Sequence, residues 1–584
     1  MTKKYRQISC VTVLFSLILV ACSSVKDSTS EESLAVTPMI SARERASLVG
    51  NLSPTSPFSH YITEANQNNN HYVNILNVGN DALLARLHLI RNAQKSIFIQ
   101  TFIWEQDETG RLLAYEIIEA AKRGVEVKII VDFDTIIKEA ALHAYLSTVH
   151  PKVKVKVYNP TADSMESGYL VFARNVTFNF GGLNQRMHNK IFIVDGQVGI
   201  TGGRNNGNEY FDRGAGRNFR DSDVLLIGEV VQKMSDSFWE YWQHPLVVDT
   251  SNMIDVTAAI DSGNYPKFNS RESYALGDNF DEIEKCSYNP SCIEDRFIAH
   301  HFIVDRIDFF ADEPGKTEEI GEFQTTRATD ALARFILSAQ NSIVMQTPYL
   351  VVGKGGNSIF GEMVKNNPDL EIRVSSNSLA AADHVYAYAY SYKNKKRYLK
   401  KFNWQIFEFK PTPIDADSII SPIATDIRTT DYYVSIHAKT YVVDSQKVWM
   451  GSFNLDPRSA NLNTEAGVII YDEQVALAVQ QDIKRDMSND NSWTIAKREA
   501  RPILSFFSGI IGTLIQSIPI VDLWPFTYSG SYELLEGEQQ VPMTDENFYD
   551  HYRYVGPFPE TSGTTKEIET RLIKGFFGAF QGLI

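Results

Sequence analysis

The sequence has few cysteines and lacks the common motifs for metal and nucleotide binding. Its 584 residues include four cysteines without CxxC spacing, and neither an HExxH nor a P-loop pattern occurs. We therefore expect a reaction that needs no metal ion or other cofactor. Basic residues are also fewer than acidic ones, which gives a net charge of −15. Because nucleic acids are bound mainly by clustered lysine and arginine, this charge argues against a general nucleic-acid-binding protein.

A short apolar run without charge lies near the N-terminus. Basic residues precede the run ISCVTVLFSLILVA, which is too short for a comfortable membrane span and is typical of a secretory signal. The ending LVAC resembles the lipobox of bacterial lipoproteins, which implies removal of residues 1–21 and lipidation of Cys22 in the cell envelope, on the extracytoplasmic side of a bacterial membrane. An ordinary signal peptide with a chance cysteine is the alternative. Residues 22–48 are polar and rich in serine, which predicts a flexible tether.

Two of the cysteines lie close together in the middle of the chain. If the protein is exported, they face an oxidising compartment. Cys286 and Cys292 flank a proline-containing turn in KCSYNPSC and could close a small disulfide loop. Two free thiols are the alternative, because spacing alone does not establish bond geometry. The surrounding residues 251–319 are polar and irregular in pattern, which predicts an insert or linker.

The chain consists of two similar halves. DALLARLHLIRNAQKSIFIQTFIW begins at Asp81, and DALARFILSAQNSIVMQTPYLV begins at Asp330. In each half a helical pattern leads to an alternating apolar run typical of a strand, and a second helix and strand follow. This alternation predicts an α/β fold with two duplicated domains, at 49–250 and 320–495, each a mixed β-sheet flanked by helices.

One motif recurs in both halves at identical internal spacing. HNKIFIVDGQVGITGGRN begins at His188, and HAKTYVVDSQKVWMGSFN begins at His437. Residues two apart in a strand point the same way, so each histidine shares a face with the lysine that follows it. A nucleophile or acid beside a fixed cation suits an anionic substrate, above all a phosphate.

Displacement at a phosphodiester needs a nucleophile and an acid, and each motif supplies a single imidazole. We therefore predict that the two motifs face each other across a pseudo-two-fold interface and form one active site. Histidine can perform either task near neutral pH, and a phosphohistidine intermediate would make the reaction two-step. A repeated fold that has lost its site is the alternative, and the filled polar positions of both motifs argue against it.

The two motifs resemble the HKD motifs of the phospholipase D superfamily, and within it the chain resembles bacterial cardiolipin synthases of the C type. GGRNNGNEYFD, FRDSDVLLIG and GSFNLDPRSANLNTEAGVII carry the resemblance further. It implies that His188 attacks phosphorus and that His437 protonates the leaving group. The phosphate is then expected to contact the polar and glycine positions of both motifs: Lys190, Lys439, Asn205, Asn454, Ser452 and Gly203.

Acidic residues complete the expected site. Glu465 matches the downstream acidic residue with which the family orients an active-site histidine, and Asp221 aligns with it in the first half. Asp195 and Asp444, the acidic members of the motifs, count among the candidate catalytic residues. Their place at strand ends nevertheless favours a structural role, in which they pair with backbone or neighbouring groups. The first motif has Gly203 where the second has Ser452, so the two copies are inequivalent.

The resemblance implies phosphatidyl transfer between phospholipids at a membrane surface. Phosphatidylglycerol would be the acceptor, phosphatidylethanolamine is a candidate donor, and cardiolipin would be the product. With water as acceptor the same site would act as a phospholipase D-type hydrolase, and the motifs do not distinguish these outcomes. A phosphodiester nuclease is disfavoured by the acidic charge, and the intact motifs disfavour a non-catalytic envelope scaffold.

Two further segments bear on contact with a membrane. The region 496–584 includes the charge-free stretch PILSFFSGIIGTLIQSIPIV and an apolar helical pattern at its end. It predicts either ordinary packing elements or an interfacial anchor. The run YKNKKRYLKK, residues 392–401, predicts a helix whose charged face is either merely solvated or in contact with anionic headgroups.

Overall fold

The structure, a computed structural model, describes residues 40–166, 180–277, 280–316, 326–421, 432–499, 528–562 and 568. The predicted signal peptide, the lipidation site at Cys22 and the charge-free stretch at 502–521 lie outside the described residues. Most of the predicted tether and of the apolar pattern at the C-terminus lie outside them as well. Within the described ranges, none of the helices has both the length and the apolar character that a membrane crossing requires.

The first half is built on a mixed sheet of nine described strands. In spatial order these are Phe302–Val304, His71–Leu76, Asp223–Ile227, Val198–Gly202, Ile191–Val194, Ser96–Thr101, Glu126–Asp132, Val153–Tyr158 and Val247–Asp249. Three neighbouring strands, from Ser96–Thr101 to Val153–Tyr158, run parallel, and the remaining pairs are antiparallel. The longer helices of this half are Phe58–Asn68, Gly79–Asn92, Glu108–Lys122, Ala140–Thr148 and Val230–Trp242.

The second half repeats this plan with ten described strands. In spatial order these are Ile307–Ala311, Ala466–Ile470, Lys447–Gly451, Thr440–Val443, Ser342–Gln346, Glu371–Asn377, Gln405–Phe409, Ser492–Lys497, Ser529–Leu534 and Tyr552–Gly556. Its longer helices are Arg327–Leu337, Lys354–Asn366, Val385–Lys401 and Glu473–Asp486. The predicted α/β class, with a mixed sheet and flanking helices in each half, is confirmed.

Helix boundaries follow from capping residues in the sequence. Asp107 precedes Glu108–Lys122, and its carboxylate accepts a hydrogen bond from the Gly110 amide. Asp472 caps Glu473–Asp486 in the same way through the Val475 amide. These caps satisfy amides that have no partner inside the helix, so each helix starts at a defined residue.

A core shared by both halves fixes their relative position. The helix Val230–Trp242 contributes Met234 and Phe238 to this core, and the helix Glu473–Asp486 contributes Ile483. Strand residues of both sheets, among them Val442, complete the cluster. Because apolar burial of this kind dominates folding free energy, packing holds the two sheets together.

The region 251–319, predicted as an insert or linker, contributes to both sheets. It contains the helices Ile254–Ser262, Asp281–Tyr288 and Pro290–Arg296, and Cys286 and Cys292 form a disulfide between the last two. Its two short strands then pair with the edges of the first and second sheet. The pattern looked irregular because strands of three and five residues carry little periodicity.

Both ends of the described chain also add structure to the halves. The last residues of the predicted tether form the helix Ala42–Ser47, and the Leu48 carbonyl accepts a hydrogen bond from the Ser96 hydroxyl. At the other end, Ser529–Leu534 pairs with Ser492–Lys497 and extends the second sheet. The described part of the region 496–584 therefore packs as a continuation of that sheet.

The basic run 392–401 lies in the helix Val385–Lys401, and one of its lysines is buried. Lys395 is 1% exposed, forms an ion pair with Glu408 and donates to the Tyr388 hydroxyl at 3.1 Å. Burial lowers the pKa of Lys395 and raises that of Glu408, and the pairing of opposite charges counteracts both shifts. The exposed basic residues of the run are Lys396, Arg397, Lys400 and Lys401.

Replacing Lys395 by alanine should lower the free energy of unfolding by about 3–5 kcal/mol, because Glu408 would be left buried without its counter-charge. The measurement is urea unfolding followed by tryptophan fluorescence. Arg397→Ala, on the exposed face of the same helix, is the matched control and should change the value by less than about 0.5 kcal/mol. Equal small effects of the two substitutions would contradict a stabilising role for the buried pair.

Candidate active site

The two motif histidines lie where the halves meet. His188 precedes the strand Ile191–Val194, and its backbone amide donates to the Thr464 carbonyl of the other half at 2.9 Å. The His437 amide donates in the same way to the Arg220 carbonyl of the first half at 2.8 Å. Backbone contacts between the halves therefore position each histidine.

A two-stranded parallel ladder strengthens this junction. The strand Tyr433–Ile436, which leads into His437, pairs with Arg217–Arg220 of the first half. An isolated bridge between Met187 and Thr464 takes the corresponding place beside His188. The structure thus brings the two motifs together at one site.

Each histidine is held by a carboxylate from the opposite half. Nδ1 of His188 lies 2.8 Å from Oε2 of Glu465, and Nδ1 of His437 lies 2.6 Å from Oδ2 of Asp221. Both carboxylates are fully buried, and the histidine side chains are 8% and 9% exposed. An imidazole that donates from Nδ1 to a carboxylate has its lone pair on Nε2. Nε2 of each imidazole is therefore available to react with a substrate.

Aromatic rings fix the planes of the imidazoles. Phe102 meets His188 edge-on with ring centroids 5.0 Å apart, and Tyr210 meets His437 in the same way at 5.3 Å. Phe219 packs against both of these rings, with its centroid 4.9 Å from that of His437 and 4.8 Å from that of Tyr210. With one nitrogen bound and the ring confined, little rotation remains to be lost when a substrate binds.

The two motif lysines are buried beside the histidines. Nζ of Lys190 donates to the His188 carbonyl at 2.8 Å, and Nζ of Lys439 lies 2.9 Å from Nδ1 of His437. Burial lowers the pKa of Lys190 to about 7 and that of Lys439 to about 8, although Glu465 and other carboxylates act in the opposite direction. A bound anion would favour the charged form of both amines, because an opposite charge offsets the effect of burial.

Burial also sets the protonation of the histidines in the free protein. It lowers the pKa of both His188 and His437 to about 4, against the opposing effect of their carboxylate partners. Burial alone would raise the pKa of Asp221, but His437 and the nearby lysine hold it well below its usual range. At neutral pH the site therefore holds neutral imidazoles beside ionised carboxylates.

The free protein's lysine pKa values predict an alkaline loss of activity. As pH rises through 7 and 8, Lys190 and Lys439 lose their charge, so attraction for a phosphate weakens. With both charges required, kcat/KM should therefore fall by about tenfold per pH unit between roughly 7 and 8 and by about a hundredfold per unit above roughly 8. Initial rates between about pH 5 and 10, in the presence of a chelator, measure this. A flat profile to about pH 9.5 would mean that both lysines titrate like exposed ones.

The positions Gly203 and Ser452 both serve the carboxylates. The Ser452 hydroxyl donates to Oε2 of Glu465 at 2.5 Å and accepts from the Ala466 amide at 3.0 Å, so it is engaged there and not turned to a phosphate. At Gly203, an added Cβ would lie 2.0 Å from Oδ1 of Asp221. The longer Glu465 thus accepts a hydrogen bond from a serine hydroxyl. The shorter Asp221 is matched by glycine at the equivalent position, where a side chain would overlap its carboxylate.

Replacing Gly203 by serine should lower activity by about 10²-fold, because the new side chain displaces Asp221 from His437 and a shift of about 1 Å in a catalytic group has an effect of that size. Gly216→Ser is the control, since an added Cβ there meets no atom within 4 Å. Initial rates and circular dichroism of both variants are compared. A fully active Gly203→Ser protein would show that the contact between the acid and the histidine is dispensable.

The motif asparagines differ in their contacts. Oδ1 of Asn205 accepts from the Ile103 amide at 3.1 Å, and this residue also pairs with the Tyr210 hydroxyl. Oδ1 of Asn454 is buried and has no hydrogen-bond partner among the described residues. Each asparagine lies two residues after the carboxylate-contacting position of its motif, Gly203 or Ser452.

The motif aspartates bind backbone amides at the far ends of the motif strands. Asp195 accepts from the amides of Gln94, Lys95 and Ser96 at 2.7–2.9 Å. Asp444 accepts from the equivalent amides of the second half, those of Gln340, Asn341 and Ser342, at 2.7–2.9 Å. The contacts are structural: each aspartate fixes the start of a neighbouring strand and does not contact an imidazole.

A further symmetric pair was missed in the sequence. Oδ2 of Asp132 accepts from the Met187 amide at 2.8 Å, and Oδ1 of Asn377 accepts from the Ile436 amide at 2.7 Å. Each thus holds the residue directly before a motif histidine. The available signal was a polar residue at the end of the equivalent strand in both halves, Glu126–Asp132 and Glu371–Asn377.

Comparison with known proteins agrees with this duplication. The chain matches the family model described as "Cardiolipin synthase, PLD-like domain" at residues 87–242 and 332–487. Cardiolipin synthase C of Escherichia coli is 29% identical over 477 residues, which cover 75% of this chain and 93% of that protein. An uncharacterized protein of Helicobacter pylori is 30% identical over 433 residues, 70% of this chain and 78% of its own. The solved phosphatidylserine synthase of Haemophilus influenzae is 15% identical with a TM-score of 0.48, covering 73% of this chain and 91% of its own.

The two family matches together span more than half of the chain, and each contains one motif histidine with its lysine. Each match contains six strands of one of the two sheets whose junction holds the paired imidazoles. The chain therefore belongs to the cardiolipin synthase family with PLD-like domains, within the phospholipase D superfamily.

Proposed function

We propose that the protein transfers a phosphatidyl group from one phospholipid to the alcohol of another, with phosphatidylglycerol as acceptor and cardiolipin as product. The observation that carries the proposal is the pair of buried histidines, each held at Nδ1 by a carboxylate of the opposite half. Such a pair supplies a nucleophile and an acid to one phosphodiester. The name of the Escherichia coli relative, cardiolipin synthase C, supports the lipid substrate.

In the first step, Nε2 of His188 attacks phosphorus, and the bond between phosphorus and the headgroup oxygen breaks. His437 delivers a proton from Nε2 to that oxygen, so the headgroup leaves as an alcohol. The bound phosphate anion raises the pKa of His437 above its value in the free protein, which lets the ring carry this proton. Lys190 and Lys439 offset the charge of the phosphate oxygens.

In the second step, the hydroxyl of an acceptor attacks the phosphorus of the phosphohistidine. The now neutral His437 takes the proton from that hydroxyl, the bond to His188 breaks, and the free imidazole is restored. An acceptor phosphatidylglycerol gives cardiolipin, whereas water gives phosphatidic acid. Both products thus branch from one intermediate.

The proposed setting is a membrane surface. The N-terminal apolar run, whose last residues LVAC end at Cys22, supports a lipid anchor in the cell envelope of a bacterium. The exposed basic residues of the helix Val385–Lys401 support attraction to anionic headgroups, at about 1 kcal/mol for each residue near the surface. A substrate such as phosphatidylglycerol would then be concentrated at the site.

The experiment uses the full lipidated chain, purified in detergent and incubated with chelator and vesicles of phosphatidylglycerol, with or without phosphatidylethanolamine. Lipids are read by mass spectrometry. Cardiolipin formation by the native chain that is abolished in His188→Ala and strongly slowed in His437→Ala supports the proposal, and its dependence on phosphatidylethanolamine identifies the donor. Phosphatidic acid alone would make the protein a hydrolase. An absolute requirement for a metal ion would refute the two-histidine mechanism.

A further inference from the structure

The loop between the strand Glu371–Asn377 and the helix Val385–Lys401 is fixed beside the second motif histidine. Asn377 at its start both accepts from the Ile436 amide and donates to the Ile436 carbonyl. In the middle of the loop, the Ala381 carbonyl accepts from the Ser435 hydroxyl at 2.5 Å. The loop is therefore attached to the two residues that directly precede His437.

Asp383 in this loop has one carboxylate oxygen bound and one unsatisfied. Its side chain is 9% exposed, and Oδ2 accepts from the Tyr349 hydroxyl at 2.8 Å. Oδ1 is buried and has no hydrogen-bond partner among the described residues. Because an unpaired buried oxygen destabilises a fold, such an atom points to a ligand that supplies the missing donor.

The charge of Asp383 acts on ionisable groups at and around His437. It raises the pKa of His437 and Lys439, against the larger lowering effect of their burial. It also acts on Tyr210, whose ring contacts that same histidine. Together with the attachment of the loop to the two residues that precede His437, this places Asp383 near that histidine, which would protonate the departing alcohol and deprotonate the arriving one.

We propose that Oδ1 of Asp383 accepts a hydrogen bond from a second donor group on that alcohol, a hydroxyl or an ammonium close to the reacting oxygen. The inference rests on the proposed function and names its substrate class. Glycerol headgroups carry such a hydroxyl and ethanolamine carries such an ammonium, whereas water and simple alcohols carry neither. Asp383 thus selects headgroup alcohols over water at the branch point of the reaction.

The test is a competition between acceptors for one intermediate. The full chain is incubated with phosphatidylglycerol vesicles, chelator and equal concentrations of deuterated glycerol and 1-propanol, and the products are counted by mass spectrometry. The ratio of labelled phosphatidylglycerol to phosphatidylpropanol reports only the second step. A parallel arm replaces glycerol by ethanolamine, so that the preference of the native chain distinguishes the hydroxyl from the ammonium.

Asp383→Ala should lower the preferred ratio by about 10- to 100-fold, the size of a lost hydrogen bond to a charged group. Asp383→Asn keeps the shape and the Tyr349 contact but turns an amide donor toward the alcohol. It should lower the ratio comparably for ethanolamine, whose ammonium only donates, and less for glycerol, whose hydroxyl can accept from the amide. Tyr386→Ala, which removes a side chain that is 53% exposed at the start of the following helix, is the matched control and should keep the native ratio. Continued formation of phosphatidylpropanol shows that each variant is folded.

Two results would overturn the inference, and they are distinguishable. If the native chain exchanges headgroups but both Asp383 variants keep its ratio, the inference fails while the proposed function stands. If the Asp383 variants form less of every product at an unchanged ratio, the inference also fails while the proposed function stands. Asp383 would then act through Lys439 and His437 alone. If the native chain forms no exchange product from any acceptor, the proposed function fails and this inference with it.

Discussion

Replacement of His188 by alanine should abolish phosphatidyl transfer, with a loss of about 10⁶-fold, whereas His437→Ala should slow transfer by about 10²–10⁴-fold and trap the intermediate. The difference follows from the two roles. Without the nucleophile no covalent bond to phosphorus forms. Without the acid, a leaving group that needs no proton can still depart, but the acceptor alcohol is no longer deprotonated.

The measurement uses a phosphatidyl ester of p-nitrophenol, whose leaving group departs without protonation. His437→Ala should release one equivalent of p-nitrophenol in a burst and gain the mass of a phosphatidyl group, read by intact-protein mass spectrometry at alkaline pH. His188→Ala should show neither the burst nor the added mass. His60→Ala, whose side chain is 76% exposed, controls for adventitious modification. An adduct on the His188→Ala protein would reverse the assignment of nucleophile and acid.

The duplication could be predicted from the sequence because it is a local property. Spacing within each motif determines which residues share a strand face, and the amphipathic patterns before it indicate the helices. The α/β class and the meeting of His188 and His437 at one site follow from two copies of such a pattern. The predicted domain limits lacked the edge strands from 302 to 311 and the C-terminal strands from 529 onward, since short edge strands leave weak patterns.

The partner of each histidine could not be predicted from local patterns. Glu465 lies 277 positions from His188, and Asp221 lies 216 positions from His437, so both contacts depend on how the halves pack. Local patterns likewise do not predict which lysine of the basic run 392–401 is buried. Helical spacing places Lys395 among several lysines, and the presence of Glu408 on a neighbouring strand determines which of them is inside.

The crossed contacts make a second prediction with a large effect. Glu465→Gln and Asp221→Asn keep the shape of each side chain but remove its charge, so the histidine loses the partner that orients and polarises it. A comparable change of carboxylate to amide lowers kcat by about 10⁴-fold in a serine protease triad. Each substitution should therefore slow phosphatidyl transfer from natural lipids by about 10²–10⁴-fold.

The p-nitrophenyl ester separates the two variants because it makes the acid dispensable in the first step. Asp221→Asn impairs His437, so its p-nitrophenol burst should be close to that of the native chain. Glu465→Gln impairs the nucleophile His188, so its burst should be slowed by the full factor. Pairing of each acid with the histidine of its own half would give the opposite pattern, since Glu465 would then serve His437. The burst rates therefore test in solution whether each histidine is paired with the carboxylate of the opposite half. If it is, neither half alone contains a catalytic histidine together with the carboxylate that orients it.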